Sequence, residues 1–93
     1  KPNLLITRKS NNSINSLKDL ENKTVYIKET SITKRVVKKL SSNINIIELK
    51  DIESLLKSLE TKNEADAILT YSVDNNQLEK HNLKIVKDLW KLN

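Results

Sequence analysis

The chain has 93 residues, enough for one domain with one modest core and too few for two independent ones. It has no cysteine, which excludes a disulfide framework and thiolate chemistry, and no apolar run approaches the roughly 20 residues of a membrane span. The net charge of +5 raises the question of a polyanionic partner, but apart from Lys34, Arg35, Lys38 and Lys39 the cations are scattered among Glu and Asp, which points to a solvated face and no nucleic-acid partner.

In chain order, Leu4 to Thr7 is a short apolar run that reads as a strand. Ser16-Leu17-Lys18-Asp19 fits a capping box opening one or two helical turns that end at Asn22. Thr24 to Lys28 is β-rich. Thr33 to Ser41 carries an apolar stripe of Val36, Val37 and Leu40, with Ile32 placed to act as a hydrophobic staple. Ile44 to Leu49 is a further strand. The clearest helix is Asp51 to Lys62, where Ile52, Leu55, Leu56 and Leu59 fall at i, i+3, i+4 and i+7 behind an Asp51 N-cap. Asp66 to Tyr71 and Leu83 to Val86 complete the strands, and Ser72 to Lys80 is a weaker, largely polar helix. Strands alternating with helices at this spacing predict an α/β lobe of three layers. Its central, mostly parallel sheet has four or five strands, with helices on both faces.

Glycine is absent, yet helices in such a fold commonly stop on a left-handed residue. Asparagine tolerates positive φ best among the alternatives, so Asn22 and Asn63 are the expected terminators. His81, the only histidine, lies in a polar turn, "EKHNL", and reads as a solvated loop residue. Tyr26 and Trp90 are open between a core position and an interface. No metal-ligand spacing, glycine-rich phosphate loop or nucleophile motif is present, so the sequence points to neither an enzyme nor a cofactor.

The segments "SINSLKDLENKTVYIKETSITKRVVKKL" and "NINIIELKDIESLLKSLETKNEADAILTYS" resemble the second lobe of bacterial extracellular solute-binding proteins of family 3. Ser16, Leu17, Asp19, Leu20, Lys23, Val25, Ile27, Leu59, Asp66 and Ala67 match the pattern, while Asn22 and Asn63 stand where that family has glycine. The resemblance implies that residues 1–93 are a single lobe of a two-lobed periplasmic domain, whose first lobe would complete the binding site. It implies a small polar or anionic ligand, an extracytoplasmic location, and contact with a membrane only through the parent protein. The parent would be a sensor, with a transport receptor or a small basic interaction module as alternatives.

The resemblance also places the site. In an α/β sheet, ligands collect at the C-terminal ends of the strands. Lys28 matches a ligand-contacting lysine of some members, and Thr30, Ser31 and Thr33 offer hydroxyls beside a helix N-terminus. Thr70 and Tyr71 close the strand whose last position holds, in amino-acid receptors, the aspartate that pairs with the ligand ammonium. Tyr71 stands there instead and cannot neutralise an ammonium. Asp66 reads as a structural residue at the start of that strand.

Overall fold

The computed structural model describes residues 4–29, 33–40, 43–71 and 73–88. Five strands form one sheet: β1 (Leu4–Arg8), β2 (Thr24–Lys28), β3 (Asn45–Leu49), β4 (Ala67–Thr70) and β5 (Leu83–Asp88), in the spatial order β3-β2-β4-β1-β5. β2 pairs in parallel with β3 and β4, whereas β1 lies antiparallel to β4 and β5. Four strands therefore run one way and β1 opposes them. The sheet is mixed, and the ladder between β1 and β5 shifts register at Leu5/Ile6.

Alternation along the strands divides the core in two, as a sheet covered on both faces requires. On one face, Leu5, Val25, Ile27, Ala67 and Leu69 pack with Val37 of α1 (Thr33–Leu40) and with Leu20 of the 3-10 turn Leu17–Leu20. On the other, Ile6, Tyr26 and Ile68 pack with Leu55, Leu56 and Leu59 of α2 (Ile52–Thr61) and with Leu78 of α3 (Asn75–Lys80). The three α2 leucines are fully buried, each contributing about 1.5–3 kcal/mol by removal from water. Ile52 is only half-buried at the start of that stripe. Asp51 caps α2 as its position predicts, accepting from the Ser54 N–H at 2.8 Å. Ile32, the staple candidate, lies outside the described residues.

The helix terminators split. Asn22 has φ 65° and ends the segment before β2, and its N–H donates to the Asn43 carbonyl. Asn63 does not take the left-handed conformation, and Asn82, with φ 57°, does so after α3. α2 ends differently because Arg8 reaches across from β1. Its guanidinium donates to the carbonyls of Leu59 at 2.8 Å, Lys62 at 2.7 Å and Ala65 at 3.0 Å, satisfying groups that a left-handed turn would otherwise fold back to meet.

His81 is the clearest departure from the sequence reading. It is only 6% exposed, with Nδ1 at 2.7 Å from a Glu60 oxygen and Nε2 at 3.2 Å from one of Glu53. Both glutamates lie on α2, so the turn after α3 is pinned to that helix by its imidazole. The helical face of α2 that carries Glu53 and Glu60 is visible in the sequence, but its meeting with residue 81 is a tertiary event.

Tyr26 is wholly buried and donates its hydroxyl to Glu64 at 2.6 Å. Burial first, and then the Glu64 acceptor and its charge, push the phenol well above its ordinary range. Trp90 lies outside the described residues. Asp66 is structural: its carboxylate accepts from the Thr24 N–H at 3.1 Å while its own N–H donates to the Thr24 carbonyl at 2.8 Å, locking the start of β4 to β2.

Candidate functional site

Four strands end at one edge of the sheet, and among the described candidate residues Lys28, Thr70 and Tyr71 lie there. Lys28 closes β2 and Thr70 closes β4, the strands on either side of one parallel ladder. Tyr26 pairs with Ile68, the last pair of that ladder, and two residues further along each strand Lys28 and Thr70 fall on the same face as Tyr26 and Ile68. That is the α2 face. α1, whose first residue is Thr33, packs on the opposite face through Val37. Lys28 and Thr70 therefore share the α2 face at the ends of adjacent strands. Thr30 and Ser31 lie outside the described residues. Tyr71 follows Thr70 at the edge, half-buried.

Two features of this edge were not legible from the motif alone. The Asp51 carboxyl is held below the usual range chiefly by the backbone and side-chain hydrogen bonds of Ser54, and further by the charges of Lys50 and Lys28. The second feature is Thr70, which is 2% exposed while its Oγ1 has no hydrogen-bond partner.

The opposite edge offers a cleft of about 310 Å³ lined by Arg8, Lys9, Glu60 and His81 among others. Its charges are already committed: Arg8 to the end of α2, His81 to Glu60 and Glu53, and Lys9 to Glu79. It is a structural seam. The basic side chains of α1, Lys34, Arg35, Lys38 and Lys39, are exposed, and Lys34 lies 3.5 Å from Glu48 of β3. Among the described residues no group of acidic or histidine side chains is arranged to hold a metal ion, and no helix is long and apolar enough to cross a membrane.

A family model described as NMT1/THI5 like matches residues 1–89. No match was found among curated proteins. Among solved structures, an ancestral arginine-binding protein bound to arginine is 25% identical with a TM-score of 0.77, over 94% of this chain and 41% of its own. The periplasmic VFT2 domain of Bordetella pertussis BvgS reaches a TM-score of 0.78 at 13% identity, over 94% of this chain and 38% of its own. Domain 2 of the T. maritima arginine-binding protein, determined by itself, has a TM-score of 0.75 at 21% identity and is covered over 92% of its length by 90% of this chain. The chain thus spans about two fifths of the two-lobed neighbours and nearly all of an isolated second domain. It has the fold of one lobe of a solute-binding protein.

Proposed function

Because the chain belongs to the NMT1/THI5-like family, we propose that it is the small-molecule-binding lobe of an extracytoplasmic, two-lobed solute-binding domain, with a first lobe supplied elsewhere in the same polypeptide. The observation that carries this reading is the sheet edge itself, where Lys28 and Thr70 end adjacent parallel strands. Ligands of α/β sheets bind at such edges because loops and helix N-termini converge there. Lys28, Thr30, Ser31, Thr33, Thr70 and Tyr71 are the proposed contacts.

We read the lobe as a binding element and not an enzyme, a reading supported by its likeness in fold to arginine-binding proteins. An ancestral arginine-binding protein and a BvgS sensor domain share this fold, so both transport and sensing are compatible with it. We favour a sensor, because Tyr71 replaces the carboxylate that amino-acid receptors present and the loop after Lys28 has no glycine to admit a ligand closely. A reading frame that continues into a membrane helix and a signalling domain supports the sensor. A leader peptide with a stop soon after residue 90 supports transport.

The experiment is a thermal-shift and calorimetric screen of the full encoded polypeptide against small polar metabolites. We expect micromolar binding of a ligand that presents an anionic or neutral polar group to this lobe, weakened by Lys28→Ala and by Tyr71→Ala. A ligand bound equally well by both variants contradicts the site.

A further inference from the structure

We propose that the exposed basic face of α1 is a docking surface for an anionic lipid bilayer, on which the lobe rests through Lys34, Arg35, Lys38 and Lys39. The inference goes beyond the ligand-binding reading, and none of the four is among the ligand contacts proposed there.

Val37 anchors α1 to the sheet, in the core cluster with Leu20, Val25 and Ile27. The four cations are all exposed, and they form two like-charge pairs at i, i+4, Lys34 with Lys38 and Arg35 with Lys39. Such pairs destabilise a helix. Lys38 and Lys39 lie in the last turn, where the helix dipole favours a cation, but Lys34 and Arg35 open the helix, where it favours an anion, and the first turn has no acidic residue. Among the described residues the ion pair made by this group is Lys34 with Glu48, 3.5 Å apart with both side chains well exposed, an arrangement that contributes little in water. The helix therefore carries its charge against its own stability, a conflict that an external anionic surface relieves.

The helices on the other side of the sheet are different. Along α2, Glu53, Lys57 and Glu60 alternate in sign, and α3 ends in Glu79-Lys80. Interspersed charge of that kind is an ordinary solvated surface. The field of the lobe is thus one-sided, and it turns α1 toward a negative surface.

The composition of the face selects the partner. Protein interfaces have an apolar core depleted in lysine, whereas three of these four side chains are lysines. The large apolar side chain that is exposed among the described residues is Ile85 of β5, at the other end of the sheet from β3, while α1 links β2 to β3. Val37 is committed to the core, so α1 has no described apolar side chain to insert and lies on the headgroups without entering the acyl layer. Flexible ammonium groups match separate phosphates as point charges, and each adds to attraction within a Debye length of the surface.

The test presents the full encoded polypeptide to vesicles of phosphatidylcholine alone, or of phosphatidylcholine and phosphatidylglycerol in equal parts, with reconstitution into them if it carries its own membrane segment. Lysine acetylation is then read by mass spectrometry. We expect the anionic vesicles to slow labelling of Lys34, Lys38 and Lys39 by about three-fold or more at ~0.15 M salt, to leave Lys57, Lys62 and Lys80 unchanged, and to lose the effect near 1 M salt. Neutral vesicles should protect none of them. The triple variant Arg35→Gln, Lys38→Gln, Lys39→Gln should lose the protection of Lys34, and the triple variant Lys57→Gln, Lys62→Gln, Lys80→Gln, with the same change in net charge, should keep it. Equal protection on neutral vesicles, no protection of the wild type on anionic ones, or equal protection of Lys57, Lys62 and Lys80 overturns the inference. So does protection of Lys34 that is lost as fully in the second variant, or duplex DNA that displaces the vesicles at ~0.15 M salt. Each of these results leaves the ligand-binding lobe standing, and the wild-type comparison of lipids and salt holds even if a variant fails to fold.

Discussion

Arg8→Met removes the guanidinium that ends α2, and its cost can be worked from the geometry. Three hydrogen bonds are lost, at 2.8, 2.7 and 3.0 Å, to the carbonyls of Leu59, Lys62 and Ala65. Bonds from a charged donor contribute about 1.5–3 kcal/mol each, but they are not additive. The one to Lys62 is solvent-exposed and is replaced by water when lost. A total loss of about 2–4 kcal/mol follows, a large share of the roughly 5–15 kcal/mol expected for a domain of this size. With a urea slope near 1 kcal/mol per molar, the unfolding midpoint falls by about 2–4 M. Arg8→Lys keeps the charge near the negative end of the helix but loses the planar fork, so it recovers only about 0.3–1 kcal/mol. Urea titrations followed by circular dichroism separate the three proteins. A midpoint for Arg8→Met within about 0.5 M of wild type, or a fully restored Arg8→Lys, refutes the claim that a fork of hydrogen bonds terminates α2.

Other perturbations follow from the same packing. Leu56→Ala opens a cavity under α2 and should cost about 2–5 kcal/mol in chemical denaturation, whereas a negligible shift would mean that the helix face is not core. Asn22→Ala should lose about 1 kcal/mol because alanine resists φ 65°, and Asn22→Gly should be close to neutral, as read from melting curves. The raised ionisation of Tyr26 gives a defined alkaline limit. The folded state holds the phenol neutral, so its stabilising contribution is complete below pH 10 and is lost as the pH climbs above that unfolded value. Tyr26→Phe should flatten the stability profile in that range. For Asp51 the sign is reversed: its depressed carboxyl stabilises above pH 3.8 and the contribution disappears on further acidification, so Asp51→Asn should remove this part of acid unfolding.

The parts of the fold that were legible in the sequence are those set by local periodicity. Ile52, Leu55, Leu56 and Leu59 declare a helix face, Asp51 declares its start, and the continuous apolar run Val25-Tyr26-Ile27 declares a strand buried on both faces. Strand direction is not local, so nothing in Leu4 to Thr7 reveals that β1 runs against its neighbours. Asn22 and Asn63 look alike in sequence, and their difference lies in Arg8, which arrives from 51 residues away to meet Leu59. His81 was misplaced for the same reason, since its polar turn gives no sign of Glu53 and Glu60 beneath it. At the site, the sequence placed Lys28 at the end of one strand and Tyr71 at the end of another, and the structure ends that second strand one residue earlier, at Thr70. That Thr70 would be buried without a partner depends on tertiary packing.

The central claim is that the edge formed by Lys28 and Thr70 receives the ligand. It is tested most directly by amide chemical-shift mapping of the full encoded polypeptide, titrated with the tightest binder from the screen. The account predicts perturbations centred on residues 28–33 and 70–71, with Lys9, His81 and Asn82 at the opposite edge unmoved. Perturbations centred on that opposite edge, or a saturating ligand that leaves Lys28 and Thr70 unchanged, contradict it.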